Sequence, residues 1–197
     1  MTTTDARGVL TREAIVATTR TLIETEGLDA VSLRRVGAAL GVTAPALYAH
    51  VEDKRDLLRA VAASALALLI QNFEAIDDPD PVDRVRRFSR VYIDFASTNP
   101  ELFKTVFLFP PDLAITTPTG EELPMATLAF RVPLSALTEG MDQGIFKRMD
   151  PDLAGLTMWT VAHGCAEVLA MGFALDEASR ESLIAAVIDT MIDGLRA

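Results

Sequence analysis

Few side chains in this chain can do covalent or metal chemistry. Cys165 is the only cysteine, and His50 and His163 are the only histidines. One cysteine excludes an intrachain disulfide framework, and one Cys with two His excludes a structural zinc site. His163 and Cys165 stand two apart on a helix, so they point to different faces and cannot work as a thiol and its base. His163 and Glu167, at i and i+4, form a reachable pair that reads as structural or ligand-orienting. No catalytic residue, metal ligand or cofactor is expected, and the chain does not read as an enzyme. What remains is binding chemistry. The Arg34 guanidinium presents a planar fork of donors that suits paired acceptors. Lys54 stands at a helix start, where a cation is electrostatically misplaced unless an anion arrives. The plainer alternatives stay open: Arg34 and Arg35 as a solvated face, and Lys54 as a helix-terminus charge beside Asp53.

The elements that position these groups read as helices almost throughout. Thr11 caps a first helix ending at Gly27, and Ser32 caps a short second one, with Leu33, Val36 and Leu40 on one side and Gly41 as its stop. Gly37 is small where two helices cross, and Gly41 can take the left-handed turn between them. Thr43 is expected to cap a third helix, with Pro45 in its first turn and the helix dipole aimed at a phosphate. Asp53 opens a long fourth helix, and Asp77-Asp78-Pro79-Asp80-Pro81 breaks the chain. Further helices are expected over about 82–97, 102–109, 125–141 (disturbed at Pro133), 152–173 and 178–195. Residues 111–123 read as a loop, with no β-hairpin pattern anywhere. The fold class is all-α: an N-terminal three-helix helix-turn-helix domain, residues 1–60, joined to a larger helical domain, residues 61–197, which the resemblance described below makes a ligand-binding and dimerisation domain.

Charge divides along the same line. The net charge is −10, which excludes a uniformly basic nucleic-acid coat. Residues 1–60 carry eight basic and eight acidic side chains; residues 61–197 carry ten and twenty. Only the first part can present a DNA-facing surface, although a neutral surface of no function fits the same count. Half the residues are hydrophobic and 6% aromatic, a globular composition. The longest uncharged apolar run, Ala60 to Ile70, is short of the roughly 20 residues needed to cross a bilayer. With a polar N-terminus unlike a secretory signal, the expectation is a soluble cytoplasmic protein without a membrane partner.

The run from Ser32 to Leu58 closely resembles the DNA-binding segment of TetR-type transcriptional repressors. The resemblance rests on Leu47-Tyr48, then His50-Val51, then Lys54 with Leu57-Leu58, and it covers roughly residues 10–60. It implies a helix-turn-helix whose second short helix reads the major groove, with a residue at the Arg34 position contacting a base. It also implies phosphate contacts from Tyr48, His50 and Lys54, and from the hydroxyls of Thr43 and Ser32. Ala44, Pro45 and Ala46 depart from family members with long polar side chains at the leading end of that helix. They can touch thymine methyls but donate no hydrogen bonds, so base readout is sparse and Arg34 takes a larger share. Without the resemblance, Tyr48 reads as a ring stacked on the first helix and His50 as a half-buried spacer.

The larger part resembles the regulatory half of such repressors through Asn99-Pro100-Glu101-Leu102-Phe103 and Trp159-x-x-x-His163-Gly164, which point to a Trp-His-Gly-containing subgroup. By that resemblance a small apolar or amphipathic effector binds among the middle helices. Tyr92, Phe103, Phe107, Met125, Phe130, Met158, Trp159 and His163 are the candidate lining, with Tyr92 or His163 as polar handle; the alternative is ordinary packed core. In the last two helices, Ala162, Gly164, Ala166 and Ala170 permit close approach. Leu183, Ile184, Val187, Ile188, Met191 and Leu195 form a stripe that either meets a second copy or covers the chain's own core. The resulting expectation is a homodimeric, ligand-released repressor of double-stranded DNA with a near-palindromic operator. A helical small-molecule-binding or enzymatic protein without DNA binding is the alternative.

Overall fold

Most helices begin where a polar side chain takes up an otherwise unpaired backbone N–H. The computed structural model describes residues 10–111, the backbone of 114–116 and 122–128, and residues 129–197. In α1 (Arg12–Glu26), the Thr11 hydroxyl accepts from Ala14 N at 3.2 Å. After a 3-10 turn at Leu28–Ala30, Ser32 caps α2 (Leu33–Ala39) by accepting from Arg35 N. The four-residue α3 (Ala44–Leu47) follows, and Asp53 caps α4 (Lys54–Glu74) at 2.8 Å from Asp56 N. Asp80, Asp150 and Asp176 do the same for α5 (Pro81–Thr98), α8 (Pro151–Ala170) and α9 (Glu177–Leu195). Asn99-Pro100 separates α5 from α6 (Pro100–Leu108).

Two expectations change here. Residues 111–123 are not wholly loop: β1 (Ala114–Thr116) pairs antiparallel with β2 (Glu122–Pro124), and Ile115 sits opposite Leu123. Backbone pairing over three residues a strand leaves too short a pattern to be read as alternation. And α7 (Met125–Asp142) runs unbroken through Pro133. The helix continues past the ring, which still removes one intrahelical donor.

Two hydrophobic cores result. The first joins Ile15, Ile23, Leu28, Val31, Val36, Leu47, Val51, Leu57, Leu58 and Val61, all from α1 to the first half of α4, with Leu102 from α6. The second runs from Ala65 to Leu195 and centres on α5, which packs against α7, α8 and α9. Outer arginines of α5 reinforce those contacts: Arg90 reaches Asp94 and Glu181, Arg86 reaches Asp189, and Arg84 reaches Glu139. Ion pairing to Glu181 and Asp94 holds the Arg90 guanidinium above its ordinary pKa.

The apolar stripe of α9 is turned inward. Ile184, Ile188, Met191, Ile192 and Leu195 are buried in the chain's own core, as are Ala162 and Ala166 of α8. The outward side of α8 is the apolar one that remains: Leu153 and Leu156 are exposed, with Val168, Met171 and Phe173 further along. Both α4 and α8 have the length and composition of a membrane span, yet only a third of the α8 span is buried, against more than half for α4.

Candidate nucleic-acid interface and ligand cavity

Local packing fixes the angle between α2 and α3. A Cβ at Gly37 would stand 2.9 Å from the Val42 carbonyl oxygen and 3.3 Å from Ala44 N, so only glycine permits this crossing without a backbone shift. Gly41 supplies the positive φ of +70° at the turn. Beneath the turn, Val36, Leu47 and Val51 are buried.

The surface above holds most of the candidate DNA-binding residues. Ser32, Arg34, Thr43, Pro45, Ala46, Tyr48 and Lys54 are exposed, and Ala44 and His50 are half-buried. Tyr48 is 59% exposed and makes no aromatic-ring contact among the described residues. Thr43 occupies the first position before α3 in extended backbone, but its side chain makes no cap bond, contrary to expectation. With only four residues, α3 also carries little of the dipole that the expectation invoked. Ser32 does use its hydroxyl as a cap, so that oxygen is already engaged with Arg35 N.

Ion pairs sort the arginines. Arg35 is tied to Glu26 and Arg20 to Glu24. Arg12 holds Asp56 through two bonds, 2.7 and 2.9 Å, and donates to the His50 carbonyl at 2.6 Å. This clamp fastens α1 to the start of α4 across His50. Its hydrogen bonds hold the Asp56 carboxyl below its ordinary pKa and the Arg12 guanidinium above. Arg34, Lys54 and Arg55 carry no ion pair among the described residues. Arg55 had not been singled out from the sequence. Its exposure beside Lys54 is legible there, but its lack of a partner is not.

A cavity of about 350 Å³ opens between α4, α5, α6, α7 and α8. Tyr92, Phe103, Phe107, Phe130, Met158 and Trp159 line it, as the candidate list had them. The side chain of Met125 lies outside the described residues. His163 is not in the lining. It sits behind it, with Nδ1 at 2.9 Å from the Tyr92 hydroxyl, while Trp159 Nε1 donates to the same hydroxyl at 3.1 Å. The imidazole is stacked on Trp159 at 5.0 Å and meets Phe107 edge-on at 4.9 Å. Burial pushes the Tyr92 phenol well above its ordinary pKa, so it stays neutral. Phe73, Phe88 and Phe95 also face the cavity, together with Leu66, Leu69, Val106 and Pro133. Glu167 stands 3.9 Å from His163 Nε2, beyond a hydrogen bond. Cys165 is buried in the core, where desolvation raises its thiol pKa and keeps it unreactive.

The two sites meet in α6. Its Leu102 is buried in the first core, its Phe103 and Phe107 line the cavity, and the Glu101 carboxylate accepts from Leu28 N at 2.9 Å. Neither Glu101 nor Leu102 carries a sequence signal of this bridging role.

Comparison with known proteins adds the following. The family profile described as "Bacterial regulatory proteins, tetR family" matches residues 15–61, and "Tetracyclin repressor-like, C-terminal domain" matches residues 85–191, more than half the chain. The chain is 38% identical over 71 residues to the class C tetracycline repressor protein of Escherichia coli. That match covers 36% of this chain and 32% of the repressor, about a third of either protein. Among solved structures, a protein of unknown function from a Rhodococcus species superposes with a TM-score of 0.80 at 23% identity, over 99% of this chain and 100% of that one. A TetR family transcriptional regulator, PfmR from Thermus thermophilus, superposes with a TM-score of 0.66 at 23% identity, over 96% and 100%.

Proposed function

The chain belongs to the TetR family of bacterial regulatory proteins, and on that footing we propose that it is a DNA-binding transcriptional repressor released by a small molecule. The observation that carries this reading is the ion-pair sorting on the helix-turn-helix head. Arg12, Arg20 and Arg35 are neutralised by local carboxylates, while Arg34, Lys54 and Arg55 are exposed and carry no ion pair among the described residues. Unpaired cations around a short exposed helix suit a polyanion. Arg34 reads a base edge, and Lys54, Arg55, Tyr48 and Thr43 hold phosphates on either side. Ala44, Pro45 and Ala46 pack on the groove floor. We place the boundary between head and body near residue 60, within α4, and place the protein in the cytoplasm with its DNA.

The body responds to ligand through α6. A molecule in the cavity presses on Phe103 and Phe107, and the helix that carries them also carries Leu102 and Glu101 into the head. Any displacement of α6 is therefore transmitted to the α1 turn. Ligand shifts the population of head positions only to the extent that it prefers one of them.

Two copies pair through the last two helices, with the exposed apolar side of α8 (Leu153, Leu156, Val168, Met171) and the small outward residues Ala185 and Ala186 of α9 at the contact. Such a two-fold dimer presents two heads about 34–36 Å apart, one DNA turn, and calls for a near-palindromic operator. A gel shift of the full chain against the DNA upstream of its own reading frame tests the reading. Retarded complexes whose affinity falls steeply with salt are expected. Indifference to every duplex at low ionic strength overturns it and leaves a ligand-binding helical protein.

A further inference from the structure

The cavity discriminates among ligands by what its wall lacks. No residue of its described lining is charged. The polar side chains in that wall are Ser89, Tyr92 and Trp159, and each is already engaged. Ser89 Oγ donates to the Val85 carbonyl at 2.9 Å, Trp159 Nε1 donates to the Tyr92 hydroxyl, and that hydroxyl shares a hydrogen bond with His163 Nδ1. A carboxylate or ammonium group entering here would lose its water and gain no counter-charge. The Tyr92 and His163 pair, which looked from the sequence like a handle for the ligand, is spent inside the protein.

The wall is also aromatic. Eight of the chain's twelve Phe, Tyr and Trp residues line it. Their rings meet edge to face, Phe73 on Phe88 at 5.4 Å and 89°, Tyr92 on Phe103 at 5.7 Å and 80°. A planar guest extends that edge-to-face packing, which an aliphatic chain cannot. The volume of about 350 Å³ accommodates about a dozen non-hydrogen atoms at the packing density of protein interiors.

Among the described residues, prolines leave wall carbonyls without their regular partner at the end of α6, where Val106 and Phe107 face Pro110 and Pro111, and at one place in the middle of a helix. Pro133 lies inside α7, and it has no N–H to give the carbonyl of Ala129, four residues earlier. Ala129 and Pro133 both line the cavity. We infer that the cavity takes a neutral aromatic molecule bearing a single hydrogen-bond donor, a phenol or its equivalent, whose O–H or N–H is received by the Ala129 carbonyl. This inference rests on the reading of the cavity as the effector site and names the chemical class of the effector.

Trp159 is the only tryptophan and lines the cavity, so its fluorescence reports occupancy. The full-length protein is titrated with para-propylphenol, propylbenzene, para-propylbenzoate and benzyltrimethylammonium, exciting at the red edge of tryptophan absorption. The phenol is expected to bind about fivefold to tenfold tighter than the hydrocarbon. The anion is expected to bind at least about a hundredfold weaker than the phenol, and the cation, partly compensated by the ring faces, also weaker than the phenol. Pro133→Ala restores the missing N–H but also trims the wall, so the reading taken is the ratio of the two affinities: phenol and hydrocarbon are expected within about twofold of each other in the variant. A carboxylate or cation that matches the phenol overturns the inference. So does a phenol no better than propylbenzene, a phenol preference that survives Pro133→Ala, or a fluorescence signal that none of the four compounds moves. Fluorescence anisotropy of a labelled duplex, run without ligand, separates the two readings. Failure to bind DNA with the ligand series intact removes the regulator and keeps the ligand class, and the reverse result does the opposite.

Discussion

The head and the body of this protein are packed by different rules. The buried head core is built from Ile, Leu and Val, with Phe109 of the body packed against its edge, and the only aromatic ring between residues 10 and 61 apart from His50, that of Tyr48, faces solvent. The body core holds Phe73, Phe88, Tyr92, Phe95, Phe103 and Phe146, and it encloses a cavity. Branched aliphatic side chains interdigitate closely and hold two short helices at one angle, which a surface that must match a rigid partner requires. Large flat rings set edge to face leave gaps between them, which a guest can fill. The α5 arginines differ from those around α3: Arg84, Arg86 and Arg90 tie body helices together, whereas Arg34, Lys54 and Arg55 carry no ion pair among the described residues.

The single element that violates this division offers the sharpest test. Leu102 belongs to α6 of the body yet is 1% exposed in the head core. Leu102→Ala is expected to cost roughly 2–5 kcal/mol. Hydrogen exchange should show the loss of protection in α1 and α4 near Ile15 and Leu57. Loss confined to the body helices would break the picture of α6 as a shared element.

Smaller effects follow on the DNA side. Arg34→Ala should cost roughly 1–3 kcal/mol on the cognate operator and relax preference at one base pair. Lys54→Ala and Arg55→Ala should each weaken binding to all duplexes and flatten the salt dependence by about one phosphate. Arg35→Ala, whose guanidinium is already paired with Glu26, should change binding least of the four. Equal losses from Arg34 and Arg35 would show that ion pairing does not decide which cations meet DNA.

Next in size is the contact between Glu101 and Leu28 N. Glu101→Ala removes one charge-assisted, part-buried hydrogen bond and should lower stability by about 1.5 kcal/mol. DNA affinity without ligand should stay near wild type, while the ligand concentration needed for release rises severalfold. Unaltered release would place the coupling elsewhere in α6.

The smallest effect is on acid stability. Asp56 is held below its ordinary pKa by Arg12, so its contribution is complete above the unfolded carboxylate value of about 3.9 and is lost as pH falls through the lower folded value. The stability difference between wild type and Asp56→Asn should therefore shrink below about pH 4. A difference that persists in acid would mean that packing, and not the ionised clamp, joins α1 to α4.

Much of this architecture was legible from local chemistry. Thr11, Ser32 and Asp53 mark helix starts because a cap acts on N–H groups two or three residues away. Gly37 and Gly41 announce the close crossing and the turn for equally local reasons. Tyr92, Phe103, Phe107 and Trp159 could be named as candidate lining, but Phe73, Phe88 and Phe95 could not be told from plain core, since an apolar helix face looks the same in front of a gap or a neighbour. Thr43 misled because a residue of capping type need not use its side chain when the helix behind it is a single turn. The hairpin of β1 and β2 escaped because three residues a strand hold no period.

By itself the amino-acid sequence determined the order of the helices, their ends, the all-α class and the helix-turn-helix, since those depend on interactions within a few residues. Tertiary structure alone decided which cations lack a carboxylate, which hydroxyls are already satisfied, that α9 turns its apolar stripe inward while α8 keeps one outside, and that α6 serves both cores. Each of those outcomes depends on which distant segment arrives beside a side chain, and no spacing along one strand of sequence encodes that arrival.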